Sequence, residues 1–173
     1  MSFSIQTFQH NGFDIIGLKD ENSGAQVEII PALGAMLHAF KVSHKDGYLN
    51  IIDGYNSVEE YRQLFASTFK GVKLSPYACR IAGGRYRWRQ QSYQISKSLL
   101  PGHAMHGLLY DALFHVIDQQ ANGEEAYILL EYDYRAEDPG YPFMYNCRVR
   151  YRLLPGHVLD IHTTLSNQTA TPI

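Results

Sequence analysis

The stretch from Met144 to Leu154 constrains the fold more than any other. Tyr145, Cys147, Val149, Tyr151 and Leu153 alternate strictly with Met144, Asn146, Arg148, Arg150 and Arg152. A period of two over this length places all three arginines on one face of a strand, whereas a helix would spread them around its circumference. It therefore predicts a strand with one buried and one wet face. Pro155-Gly156-His157 then breaks the run before a second strand-like segment, Val158–Leu165, so the two read as a hairpin. Two further hairpins are expected where Asn11-Gly12 separates Ser4–Gln9 from Phe13–Lys19 and where Asn122-Gly123 separates Phe114–Gln120 from Glu125–Arg135. Asn-Gly is favoured in two-residue turns because both residues tolerate positive φ. Thirteen Tyr and eight Phe add to the strand preference, and the chain reads as mostly β. One helix is expected near Val58–Phe65, where Ser57 precedes Glu60 by three residues and Tyr61, Leu64 and Phe65 supply an apolar stripe.

With 173 residues, 45% of them hydrophobic and 18% charged, the chain is long enough for one domain with a sizeable core, and no repeat, low-complexity tract or linker divides residues 1–173. A formal net charge of −2 and no dense basic run give no electrostatic footprint for nucleic acid. Arg85, Arg87 and Arg89 alternate as on the wet face of a strand. Two widely separated cysteines, Cys79 and Cys147, suggest neither a disulfide framework nor a zinc site. The N-terminal residues lack a basic region followed by an apolar core, and no apolar run reaches membrane-spanning length. A soluble, cytoplasmic protein with no membrane partner is expected.

The polar groups that invite chemistry lie in turn-rich segments between strands, where a rigid scaffold presents functional residues. Arg80 stands between Pro76-Tyr77 and the Gly83-Gly84 pair. Its guanidinium either offers forked donors to a hydroxyl-bearing or carboxylate ligand or ties a local turn through a carboxylate or carbonyls. His103 and His106 are three apart and point to opposite faces if both lie on a strand. With no third ligand at compact spacing, His-x-x-His does not make a metal site; one imidazole is expected to face a pocket and the other to pack or cap locally. Cys79 adjoins a positive charge that would favour a thiolate, but no base accompanies it, and it reads as a buried thiol. His10, His38, His44, His115, His157 and His162 read as structural. Asp138-Pro139-Gly140-Tyr141-Pro142 is a strong turn before a strand.

The order of these elements resembles the aldose 1-epimerase, or galactose mutarotase, family. The resemblance is carried by Ser75-Pro76-Tyr77 through Arg80-Ile81 with Gly83-Gly84-Arg85-Tyr86, by Met105-His106-Gly107, and by Asp138-Pro139-Gly140-Tyr141-Pro142. It extends to Glu28–Leu37, with its Pro31-x-x-Gly34-Ala35 turn, and to Val158–Ile173. The resemblance implies a galactose mutarotase-like β-supersandwich, a carbohydrate cleft and interconversion of the α and β anomers of an aldose without a cofactor. In that chemistry a base takes the anomeric hydroxyl proton while an acid protonates the ring oxygen; the ring opens, the aldehyde carbon rotates and closure gives the other anomer. By matching motifs, Arg80 corresponds to the family's sugar-binding arginine and His106 to its first active-site histidine, which holds substrate near the ring oxygen. His103 has no corresponding role.

In the family a second histidine follows a Thr-Pro segment in an Asn-His-x-Tyr-Phe type motif, and a glutamate base lies near the C-terminus. This chain stops at Thr171-Pro172-Ile173. The resemblance thus implies an incomplete sandwich that ends before the acid and the base. Asp111 and Asp138 are the carboxylates available to substitute, and no spacing brings either to an anomeric proton. Three readings follow: a shortened aldose 1-epimerase with half a site in Arg80 and His106, a catalytically inactive carbohydrate-binding module, and a non-catalytic β interaction domain. The unpaired edges and apolar faces of an incomplete sandwich are association hazards, so self-association by strand exchange or by stacking of the uncovered sheet is a further expectation.

Overall fold

A computed structural model describes residues 2–45, 47–97 and 102–170. Thr171-Pro172-Ile173, where the family resemblance ends, lies outside them. Five antiparallel strands, β1 (Phe3–His10), β2 (Phe13–Asp20), β3 (Gln26–Ile30), β4 (Met36–His44) and β5 (Gly47–Asn50), form a first sheet in sequential order. Helix α1 (Val58–Thr68) follows, then four short strands: β6 (Arg80–Ala82), β7 (Arg85–Trp88), β8 (Gln91–Gln94) and β9 (His103–Met105). A second antiparallel sheet contains β10 (His115–Ala121), β11 (Ala126–Tyr134), β12 (Tyr145–Leu154) and β13 (Val158–Asn167), again in order. Strands dominate and neither large sheet closes on itself, as expected for an open sandwich.

The turn chemistry explains most of this order. Asn11 and Gly12 both take positive φ, 48° and 86°, and close a tight turn with His10 opposite Phe13. Asn122-Gly123 departs from expectation. Ala121 pairs with Ala126, so four residues rather than two form the loop. The cause is the Asn122 side chain, whose Oδ1 accepts from the amides of Glu124 and Glu125 at 2.7 and 3.0 Å and so organises a wider turn. The Pro155-Gly156-His157 connection has the expected three residues, with Leu154 opposite Val158. Helix α1 begins at Ser57, whose Oγ accepts from the Glu60 amide at 3.2 Å, and runs three residues beyond the expected end at Phe65. It stops at Phe69, left-handed at φ 47°, whose amide donates to the Phe65 carbonyl.

The two sheets pack face to face. Leu18, Val27, Ile29 and Phe40 of the first meet Ile128, Leu130, Tyr145, Cys147, Val149, Tyr151 and Leu153 of the second in one buried cluster. The apolar set of β12 predicted from its alternation is almost wholly buried, and Arg148 is exposed on the opposite face. Asn146 is the exception on that wet face: it is buried and donates from Nδ2 to Asp133 Oδ1 at 2.6 Å. Tyr151 also ties the layers directly, donating its hydroxyl proton to the Ala35 carbonyl at 2.6 Å. The other face of the first sheet packs Phe13, Ile15, Ile30 and Met36 against Tyr55, Phe65 of α1 and Tyr110. Among the described residues no helix is long and apolar enough to cross a membrane.

One part of the inner face is uncovered. Tyr151 pairs with Ile161 and Cys147 with Leu165, so Ile161 and Leu165 lie on the same face as the buried residues of β12. They are nevertheless 42% and 54% exposed, and β13 is also an open sheet edge.

Candidate active site

Arg80 and His106 are brought together by the small ribbon of β6 and β9. Arg80 pairs with Met105, so His106 leaves β9 one residue beyond Arg80's partner, and its amide donates to the Cys79 carbonyl at 2.9 Å. The chain turns sharply there, with His106 at φ 59° and Gly107 at φ 82°. Glycine is required at 107 on two counts: the positive φ, and a close approach in which a Cβ would lie 2.1 Å from the Ser75 carbonyl oxygen. The Ser75 carbonyl also accepts from Leu108 and Leu109, so the Ser-Pro and His-Gly segments are locked together.

The same turn fixes the His106 tautomer. The Cys79 amide donates to Nδ1 at 3.1 Å. An amide N–H can only donate, so Nδ1 is the unprotonated nitrogen and the neutral ring carries its proton on Nε2. Phe69, at the end of α1, packs its ring edgewise on the imidazole with centroids 4.5 Å apart. Arg80 is exposed, and among the described residues its guanidinium makes no hydrogen bond or ion pair. Among the described residues it ties no local turn. The guanidinium and the Nε2–H, carried on adjoining positions of the ribbon, are both donors suited to oxygen acceptors, such as hydroxyls and a ring oxygen.

Other expected groups fall elsewhere. Cys79 is exposed, contrary to the buried thiol expected, because its left-handed conformation at φ 64° directs its amide to His106 within a surface turn. Cys147 is the buried cysteine, and burial pushes its thiol up to about 11. His103 opens β9 opposite Ala82 and is exposed; among the described residues no group of three or more His, Cys, Asp or Glu could hold a metal ion. Arg85 and Arg87 lie on β7 as the stripe suggested, but Arg89 sits in the turn to β8 at φ 47°, over the Trp88 ring.

Both carboxylates considered as substitute bases are engaged. Asp138 is buried and accepts from the amides of Ser96, Lys97 and Gly140 within 3.1 Å, anchoring the segment after β8 to the Asp-Pro-Gly turn. Asp111 is paired with Lys97. Lys73, seven residues before Arg80, carries no sequence signal that marks it out. It lies over the Tyr151 ring, 5.1 Å from its centroid, and burial pushes its ammonium below the ordinary lysine range. Phe69 and the Cys79 amide likewise escape sequence reasoning, since one acts through ring packing and the other through the backbone.

The fold and the motif order have a direct counterpart among known proteins: residues 14–173 match a family model described as aldose 1-epimerase. The chain belongs to that family. Three solved structures share its fold. A galactose mutarotase-like protein from Clostridium acetobutylicum superposes with a TM-score of 0.78 at 16% identity, covering 98% of this chain and 50% of that one. A galactose 1-epimerase from Lactobacillus acidophilus gives 0.71 at 20% identity, covering 96% and 49%. A GalM/aldose epimerase homologue from C. elegans gives 0.65 at 18% identity, covering 85% and 44%. The chain thus has the galactose mutarotase-like fold and spans about half the length of these relatives. No curated protein matches the sequence.

Proposed function

We propose that residues 1–173 act as one β-sandwich unit supplying the sugar-holding side of an aldose 1-epimerase site. Arg80 binds substrate hydroxyls through its forked donors. His106 presents Nε2–H to the ring oxygen and holds the sugar in place. The observation that carries this reading is the Cys79 amide bond to His106 Nδ1 beside an unpaired Arg80, which commits the imidazole to donate through Nε2.

Anomer interconversion needs more than this. A base must sit within hydrogen-bond reach of the anomeric hydroxyl and an acid must deliver a proton to the ring oxygen. Asp138 is bound to three amides and Asp111 is paired with Lys97, and no contact places either beside Arg80 or His106 to serve as that base. The chain alone therefore binds aldoses and does not accelerate their mutarotation, and the same engagement of the carboxylates favours a binding module as the second reading. Polarimetry on freshly dissolved α-galactose or α-glucose tests the first statement: the optical rotation should relax at the buffer rate. Faster relaxation overturns the account of the missing base. Titration of either sugar should shift the Arg80 and His106 resonances, and silence at both refutes the proposed site.

A further inference from the structure

His38 reads as structural from the sequence, and its surroundings do not fit that role. Strand β4 carries a bulge opposite β3: Glu28 pairs with Ala39 while Ile29 pairs with Leu37, leaving His38 as the extra residue. A bulge re-aims a side chain, and such irregularities gather beside functional sites. Here it turns His38 toward the face that carries Glu28 and Lys41, away from the core shared by the two sheets. His38 is only 8% exposed, and its Nδ1 is buried with no hydrogen-bond partner among the described residues. A buried nitrogen left unpaired is costly, and here it lies close against Gly54, where a Cβ would stand 3.6 Å away, so a ligand in the neighbouring space meets the rest of the imidazole.

A cavity of about 360 Å³ is lined by His38 and its neighbours. Pockets for small ligands begin at about this size. Its floor is Glu28, 6% exposed and ion-paired with Lys41. One wall is the end of β5 and the loop after it; Asn50, the last residue of the strand, accepts at Oδ1 from the Phe40 and Ile52 amides at 3.0 and 3.4 Å, and with its oxygen so committed the amide's NH2 group remains as donor. The loop approaches the bulge so closely that a Cβ on Gly54 would lie 2.4 Å from the His38 carbonyl oxygen. At the rim Lys70 is paired with Asp53.

The lining selects a ligand class. Both lysines are already neutralised by carboxylates, so the cavity has no unpaired cation to select an anion. What remains is the imidazoles of His10 and His38, the Asn50 side-chain amide donor, the second Glu28 oxygen and Glu60, whose Oε2 accepts from the Asn56 amide. A hydroxyl both donates and accepts, so it can meet either imidazole in either tautomer and serve the flanking amide donor and carboxylate acceptors as well. We infer that this cavity, formed by the β4 bulge and the loop after β5, is a second binding site for a neutral polyhydroxyl ligand, an open-chain polyol or a cyclic sugar. It stands apart from Arg80 and His106 and does not depend on the function proposed for them.

The test is a titration of the ¹⁵N-labelled chain with galactitol and, separately, with D-galactose, following the His38 imidazole, the Asn50 side-chain amide and the His106 imidazole together. Saturable shifts at His38 and Asn50 are expected, and Glu28→Gln should weaken them about tenfold by replacing a charged acceptor. A response to galactitol alone assigns the site to open-chain polyols, and one to galactose alone assigns it to cyclic sugars. His38 and Asn50 signals that stay fixed up to the solubility limit of both probes overturn the inference and leave the cavity a hydration site, even if His106 responds. An unchanged affinity in folded Glu28→Gln also overturns it. Movement at His38 without movement at His106 supports this site while refuting the proposed active site.

Discussion

Replacing His106 with asparagine separates the two jobs assigned to its ring nitrogens. Nδ1 accepts from the Cys79 amide at 3.1 Å, which leaves Nε2–H as the ring's donor. The Asn side-chain oxygen falls near the position of Nδ1 and keeps the bond to Cys79, but nothing replaces Nε2–H. The turn is exposed at Cys79, but the ring packs on Phe69, so stability should fall by about 0.5–1.5 kcal/mol. The sugar forfeits one neutral hydrogen bond, about 0.5–1.5 kcal/mol, or roughly two- to tenfold in Kd. His106→Gln is the converse: its amide NH2 falls near Nε2 and retains donation to the sugar, while the Cys79 amide turns to water. The assay is a galactose titration of the wild type and both variants, preceded by a long-range ¹H–¹⁵N spectrum of the wild-type imidazole. That spectrum should show the proton on Nε2. A proton on Nδ1, or an Asn variant that binds galactose as the wild type does, refutes the tautomer reasoning and with it the role given to His106.

Tyr151→Phe leaves the buried Ala35 carbonyl without its inter-sheet donor and should cost about 1–2 kcal/mol in chemical denaturation; a loss under about 0.5 kcal/mol would mean the bond does not tie the sheets. Gly107→Ala and Gly156→Ala share a φ near +80°, but only the first drives a Cβ into Ser75. Gly156→Ala should cost about 1 kcal/mol and Gly107→Ala at least twice that by thermal melting, and equal losses would show that φ alone governs both. Lys73→Met should stabilise by about 1 kcal/mol at neutral pH, since it removes a charge that burial disfavours. The folded-state pKa lies below the unfolded value of 10.5, so the penalty is full below the folded pKa and fades as pH rises through it toward 10.5. The advantage of Met should fade over the same window, and a pH-independent difference would assign the effect to packing. Ile161→Lys with Leu165→Lys should shift sedimentation toward monomer if the uncovered face of β13 drives association, whereas an unchanged distribution would place the interface elsewhere.

The legible parts of the fold are those with a local cause. The β12 alternation, the Asn11-Gly12 turn and the Ser57 cap each depend on residues within a few positions, and each forms as the sequence implies. The Asn122 loop differs because a side-chain oxygen outcompetes the two-residue turn that Asn-Gly favours. Strands β6, β8 and β9 are illegible because each has only three or four residues, too few to show a period, and β7 shows only through the alternation of Arg85 and Arg87. At the site the sequence singles out Arg80 and His106 but not how they are held, because Phe69 and the Cys79 amide act through space and through the backbone. The β4 bulge is invisible for the same reason: only the pairing of β3 with β4 reveals that His38 is the extra residue.

The position of β13 bears on how far the site can act. The inner face of the second sheet is sealed at β12, where Tyr151 and Cys147 are fully buried, and open one strand later at Ile161 and Leu165. Both strands share one register and one alternation, so the change comes from what lies above them rather than from the strands themselves. Lys73 stands over Tyr151 at that boundary, with its charge already disfavoured by partial burial. Any further chain that covers β13 removes more water from the surroundings of Lys73 and pushes its ammonium lower still. A lysine that titrates closer to neutrality only when the face is covered would report assembly directly. Its ¹⁵Nζ signal should therefore move with concentration if copies of this chain pair through β13, and remain constant if they do not.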